Sequence, residues 1–168
     1  MGARVNPKWL DVAQKLYLPR KDLLLIEYPL EFALSKSEKR SILDEALKQT
    51  TGRQAGVMME VEFGPIPAVE LGQPSVLETL LDNTYRPYLR PPFNVLPETP
   101  TNNNINFLTG AGAFLQQFIF GYAGLRFSSD AGLSRRFEPL LPERITRLRL
   151  RNISIRGKRI DIIIPGPK

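Results

Sequence analysis

Apolar residues recur at spacings of three and four through the first 125 positions, and a two-residue alternation replaces them after Leu133. The first pattern predicts helices and the second predicts strands. Trp9, Val12, Ala13 and Leu16 share one face of a short helix over 6–17, with Pro7 in its first turn. The run Leu23-Leu24-Leu25-Ile26, closed by Pro29, is short enough for a buried strand or an extended connection. Ser35 and Glu38 make a capping-box pair that opens a helix through Ile42, Leu43, Ala46 and Leu47. The spacing is helical again over 54–72, but Pro65 and Pro67 lie inside it. An interior proline costs about 3 kcal/mol, so a break or kink is expected near Gly64. Pro74 and Ser75 open the next helix, with Val76, Leu77, Leu80, Leu81 and Tyr85 as its inward stripe. Residues 86–100 hold five prolines and predict a long loop.

The segment 104–126, NINFLTGAGAFLQQFIFGYAGLR, carries the strongest helical pattern. Leu108, Ala111, Leu115, Phe118 and Tyr122 fall on one face, widened by Phe107, Phe114 and Ile119. Gly110 and Gly112 remove side chains where the helix begins, so a neighbouring backbone or a ligand can come close. Gly121 and Gly124 are positioned to end it. Beyond Leu133, Leu148 and Leu150 alternate with Arg147, Arg149 and Arg151. Ile153 and Ile155 resume after a one-residue slip at Asn152, and Ile160, Ile162 and Ile164 follow. This is the pattern of a β-hairpin with a bulge. The expected chain is therefore mainly α with a small antiparallel β tail.

Composition narrows the chemistry. The 168 residues contain no cysteine and no histidine, which excludes disulfides, thiolate chemistry, a Ser-His-Asp triad and most zinc sites. Carboxylates are the main remaining candidates for catalysis. The net charge of +6 resides in the tail: from Arg135 onward ten Lys or Arg stand against Glu138, Glu143 and Asp161. Because these arginines alternate with aliphatics, they read as the solvated face of a half-buried sheet rather than as a nucleic-acid surface. No apolar run approaches the roughly 18 residues of a membrane span, and the first residues lack a signal-peptide pattern. The expected location is cytoplasmic by default, with a secreted parent left open. The sequon Asn152-Ile153-Ser154 would matter only in that case.

A series of motifs runs along nearly the whole chain: Lys8-Trp9, Lys15-Leu16-Tyr17-Leu18-Pro19, Tyr28-Pro29-Leu30, Ala68-Val69-Glu70-Leu71-Gly72, Tyr85-Arg86-Pro87-Tyr88, Pro92-Phe93-Asn94-Val95-Leu96-Pro97-Glu98, and the block from Asn106 to Arg126. In order and spacing they resemble the C-terminal part of glycoside hydrolase family 65, of acid trehalase and glucosylgalactosyl-hydroxylysine glucosidase type. The resemblance implies that residues 1–127 are the C-terminal portion of an (α/α)6 barrel catalytic domain and 128–168 a small antiparallel β unit. It also implies hydrolysis of an α-glucosidic bond, in trehalose or a related α-glucoside, with inversion and without metal or organic cofactor. Glu98 matches the general base, while Leu96 replaces the aromatic residue usual before it. Asn106 and Thr109 match the hydrolytic rather than the phosphorolytic version of the helix start, and Thr109 to Gly112 could cap that helix. Tyr88 and Phe93 become candidate sugar contacts. The family's general acid lies upstream of everything matched, and no motif makes Glu27, Glu31, Glu60 or Glu62 a substitute. The expected partners are thus a carbohydrate and either the missing barrel half or a second copy of the chain. A non-catalytic remnant is the alternative reading.

Overall fold

The computed structural model describes residues 23–49, 56–129, 132–155 and 157–167. The helix expected over 6–17 lies outside the described residues. Helix α1 (Leu23–Glu27) occupies the run expected to be extended. Its carbonyls at Leu24, Leu25 and Ile26 accept from the N–H groups of Tyr28, Leu30 and Phe32. It is helical because Leu24, Glu27 and Tyr28, three and four apart, are the residues that become buried. Leu24 packs there with Ile42 and Ala46 of helix α2 (Lys36–Gln49).

Helix α2 begins where the capping box places it. Ser35 N donates to Glu38 Oε2 at 2.7 Å, and Glu38 N donates to Ser35 Oγ at 3.3 Å, so two orphan N–H groups at the helix start are satisfied reciprocally. The proline pair divides the next segment as its chemistry requires. Helix α3 (Met58–Val61) stops, residues 62–64 turn, and helix α4 (Pro65–Glu70) starts with Pro65 in its first turn, where no N–H is needed. Pro74–Val76 makes a 3-10 turn leading into α5 (Leu77–Tyr85), which buries Leu77, Leu80, Leu81 and Thr84.

Helix α6 (Leu108–Gln116) continues as a π-helical segment, Gln117–Tyr122. Its buried face is rotated from the one the apolar spacing predicts. Leu108 is 83% exposed and Leu115 63%, whereas Gly110, Ala113, Gln117 and Phe120 are buried. Small size explains the rotation at the N-terminal end. A Cβ on Gly110 would stand 2.8 Å from the Phe107 ring and 2.9 Å from Met58 Sδ, so the helix seats its glycine face against them. The π segment then shifts the phase, letting Phe120, Gly121 and Tyr122 all face inward. Gln117 is buried within it and spends its amide on neighbours: Nε2 donates to Thr84 Oγ1 at 3.3 Å, and Oε1 accepts from the Tyr122 hydroxyl at 3.3 Å. Gly121 lies inside the helical run rather than ending it. Gly124, at φ +64°, makes the turn.

Strands β1 (Leu125–Ser128) and β2 (Gly132–Arg135) form a short antiparallel pair that the sequence pattern did not separate from the later hairpin. Strands β3 (Arg147–Ile155) and β4 (Lys158–Pro165) pair antiparallel, with the register shift between Leu150 and Ile153 where the alternation slips; Asn152 takes φ +57° there. The arginines of β3 lie on its exposed positions. One hydrophobic core joins the helices to both sheets, bringing Leu133, Leu141 and Ile164 together with Tyr28, Leu43, Ile66, Leu77, Leu80 and Phe120. Among the described residues no helix is long and apolar enough to cross a membrane.

Charges are buried inside this core. Arg126, 2% exposed, donates to the carbonyls of Phe120 and Leu125 and to Glu70, and its Nε lies 3.5 Å from Glu31. Its guanidinium also stacks within 5.2 Å of the Tyr28 ring and 5.0 Å of the Phe137 ring. Lys39 bridges Glu70 and Glu27, the latter at 3.0 Å. Burial pushes the Glu27 carboxyl up to about 7, with Lys39 pulling against it and Glu70 adding to the rise. Glu62 is fully buried, and burial pushes its carboxyl up to about 9 against the pull of a backbone hydrogen bond from Phe114.

Glu27 keeps its proton in the folded chain up to about pH 7 and Glu62 up to about pH 9, both above the ordinary value of 4.5, so the folded state binds more protons than the unfolded one from about pH 5 to 7 through both groups and from about pH 7 to 9 through Glu62 alone. Stability is therefore expected to fall as pH rises through this window, by up to about 1.4 kcal/mol per pH unit for each group. Glu62→Gln should flatten most of that slope in urea melts at pH 5 to 9. At Gly124 an added Cβ would strike the Phe137 carbonyl and strain a positive φ, while at Gly112 it would meet nothing within 4 Å. Gly124→Ala should lose about 2 kcal/mol or more, and Gly112→Ala should gain up to about 1 kcal/mol in the same assay.

Candidate functional site

The proline-rich loop is ordered by backbone pairing at both ends. Arg90 N donates to Val95 O at 3.1 Å, closing a turn in which Asn94 takes φ +54°. Further along, Phe107 N donates to Leu96 O at 2.8 Å and Glu98 N to Asn104 O at 3.0 Å, so residues 96–107 form a loop with a closed neck. Glu98 sits at that neck. Its carbonyl accepts from Met58 N at 2.8 Å, which ties the loop to the start of α3. Prolines at 97 and 100 stiffen the backbone on either side.

The Glu98 carboxylate is held by one oxygen. Asn102 Nδ2 donates to Oε2 at 3.1 Å and Asn104 Nδ2 to the same oxygen at 3.0 Å. Asn102 is itself oriented by Thr99: Thr99 N donates to Asn102 Oδ1 at 3.3 Å, and Asn102 N to Thr99 Oγ1 at 3.2 Å. Two amides on one carboxylate oxygen fix the plane of the group and leave its other oxygen with acceptor capacity. Neither asparagine was identified from sequence. The signal was the run Asn102-Asn103-Asn104 four to six residues after an acid, a spacing from which an amide can fold back.

The other candidates separate. Phe93 and Asn106 line one open cavity of about 360 Å³, together with Leu96, Phe107, Leu108 and Ala111. Phe93 is 86% exposed, and Asn106 takes φ +59° at the turn into α6. Glu98 is not among the residues lining this cavity, although its neighbours in the loop are. Thr109 is exposed in the first turn of α6, and the helix start has no side-chain cap. Tyr88 is fully buried with Met58, and its hydroxyl donates to the Gly56 carbonyl at 3.0 Å. A ring so enclosed presents no face for a sugar to stack on.

A second cavity, also about 360 Å³, opens at the buried charge network. Glu27, Lys39, Glu70 and Arg126 lie in its wall, with Glu31 and Arg136 paired at 3.0 Å and more exposed. Sequence reading named Glu27 and Glu31 only as carboxylates without a motif. The missed signal is charge embedded in apolar runs: Glu27 in LLLIEY, Glu70 in AVEL and Arg126 in AGLRF.

No family model matches the chain. Similar proteins are glycosidases. The chain is 28% identical over 183 residues to the protein-glucosylgalactosylhydroxylysine glucosidase of Mus musculus, a match covering 96% of the chain and 26% of that protein. It is 29% identical over 203 residues to the periplasmic/secreted acid trehalase of Candida glabrata, covering 98% of the chain and 17% of the trehalase. It is 36% identical over 76 residues to the kojibiose hydrolase of Flavobacterium johnsoniae, covering 45% of the chain and 11% of that hydrolase. The chain thus spans about a quarter or less of the length of these relatives, which are glycoside hydrolases.

Proposed function

We propose that the chain is the C-terminal part of an inverting glycoside hydrolase of family 65 type acting on an α-glucosidic bond, in trehalose or a related α-glucoside. In this reading residues 1–127 supply the last helices of an (α/α) barrel and residues 128–168 the small β unit. Glu98 is the general base. The observation that carries this assignment is the doubly anchored carboxylate: Asn102 and Asn104 hold Oε2, so the remaining oxygen is presented in one orientation. An inverting hydrolase needs a carboxylate that takes a proton from water as that water attacks the anomeric carbon. It also needs an acid roughly 6.5–9.5 Å away that protonates the departing oxygen. Glu98 fits the first role. The second belongs to the part of the relatives that this chain does not span. Asn106 and Phe93, sharing a cavity beside the Glu98 loop, are the sugar contacts of this reading.

A phosphorolytic version is disfavoured because the chain has no histidine to hold phosphate. The non-catalytic reading keeps one observation in its favour. Phe93, Leu108 and Leu115 are large, apolar and exposed, as a surface that docks onto another barrel half would be.

The isolated chain is expected not to turn over trehalose or kojibiose. In a longer reading frame that also carries the acid-bearing half, Glu98→Gln should lower kcat by about 10²- to 10⁴-fold. Asn102→Ala and Asn104→Ala should lower it less, with KM little changed, because they orient the base without touching the sugar. Steady-state kinetics on that protein make the check. Full activity in Glu98→Gln removes Glu98 as the base, and hydrolysis by the isolated chain that disappears on Glu98→Gln removes the remnant reading.

A further inference from the structure

The arginines of the β3–β4 hairpin are gathered on a rigid outer face. Leu148, Leu150, Ile153, Ile155 and Ile162 pack inward against the hydrophobic core, which fixes how the hairpin is turned. Arg147, Arg149 and Arg151 take exposed positions of β3, and Arg159 of β4 is exposed opposite Ser154. Asp161 is the one acid between Arg147 and Pro165, and the hairpin consumes it: Arg149 Nη2 donates to its Oδ2 at 2.7 Å and Asn152 N to its Oδ1 at 3.0 Å. Arg147, Arg151 and Arg159 have no ion-pair partner among the described residues. A strand rises about 3.3 Å per residue, so alternate arginines stand about 7 Å apart, inside the Debye length of about 8 Å at physiological salt. They act on an approaching surface as one field.

The aliphatic members of this face decide what it fits. Ile163, the cross-strand partner of Arg149, is 55% exposed, and Pro165, the partner of Arg147, is exposed beside it. Against a nucleic-acid backbone or a polyanionic peptide these groups would face charge, and residues 147–165 hold no aromatic ring on which a base could stack. The boundary between lipid headgroups and acyl chains accommodates both kinds of group. There a guanidinium bonds phosphate through paired N–H groups, and a branched aliphatic enters the apolar layer. We propose that the outer face of the β3–β4 hairpin docks on a membrane surface rich in anionic phospholipid, with Arg147, Arg151 and Arg159 on the headgroups and Ile163 at the acyl boundary. The contact is peripheral. It stands whether or not Glu98 is a catalytic base, because the hairpin contributes nothing to the Glu98 loop or to the cavity beside Asn106.

The test is flotation of the full 168-residue chain with vesicles of phosphatidylcholine alone and of phosphatidylcholine mixed with phosphatidylserine, at about 0.15 M salt. The chain is expected to partition onto the vesicles that contain phosphatidylserine and not onto the others. A cation held near such a surface contributes about fivefold, so Arg147→Gln, Arg151→Gln and Arg159→Gln should each lower the partition coefficient by about that factor, and the triple variant by about a hundredfold. Ile163→Ser should lower it as well, whereas Arg40→Gln, which removes an exposed charge on α2, should leave it unchanged. Urea melts that match the parent chain separate a lost contact from a lost fold. Binding no greater than to phosphatidylcholine alone overturns the proposal. So does a loss on Arg40→Gln equal to that of the hairpin variants, which marks a response to net charge, or a partition coefficient unmoved by Ile163→Ser. Duplex DNA or polyglutamate that strips the chain from the vesicles at equal anionic charge also overturns it, and assigns the face to a polyanion.

Discussion

The buried guanidinium of Arg126 is the point at which the separate parts of this chain meet. It closes the C-terminal end of the π segment by donating to the Phe120 carbonyl, a group that a helix end leaves without a partner, and it also donates to the Leu125 carbonyl at the start of β1. It takes Glu70 from the end of α4 and Glu31 from the turn after α1, and it lies between the rings of Tyr28 and Phe137. Helices before it and strands after it are therefore registered by one side chain. A buried ion pair is not a cheap source of stability, since desolvation offsets much of the attraction. Its effect is on arrangement. Removing one partner leaves a charge buried alone, at a cost of about 3–5 kcal/mol, so alternative packings that separate Arg126 from its carboxylates are suppressed.

The same constraint explains the glycine beside it. For Arg126 to reach back to the Phe120 carbonyl, the chain must reverse within a few residues, and Gly124 does so at φ +64° with its backbone pressed against Phe137. Arg136 and Phe137 then return through hydrogen bonds to the Gly124 carbonyl, which brings the Phe137 ring onto the guanidinium. Strands β1 and β2 are the consequence of that return. Their pairing depends on contacts between residues near in sequence, yet no hydrophobic alternation marks four-residue strands, and for this reason the pattern did not reveal them.

Signals that rest on local chemistry were legible. The Ser35–Glu38 box, the proline break before α4, and the slip at Asn152 each depend on groups a few residues apart. What could not be read depends on partners distant in sequence. The run at 23–26 became a helix because burying Leu24 against α2 also directs Glu27 at Lys39, twelve residues on. The buried face of α6 was misplaced because hydrophobicity ranked Leu108 and Leu115 above Gly110 and Ala113, whereas close packing selected the small residues. Tyr88 shows the same limit. An aromatic ring on a loop has equal sequence weight as a sugar platform or a core filler, and only the Gly56 carbonyl at its hydroxyl decides.

Close packing at Gly110 also reaches the candidate base. Met58 lies against that glycine, buried with Tyr88, and the backbone N–H of the same Met58 holds the carbonyl of Glu98. A side chain at position 110 would displace Met58, and with it the anchor of the loop neck. The position of Glu98 is thus set by α6 through a fully buried residue. The carboxylate's direction is set separately, by Asn102 and Asn104 within the loop. Placement comes from the helical core and orientation from the loop's own amides. An isolated chain that folds can therefore hold Glu98 as described, because both constraints are made by residues of this chain.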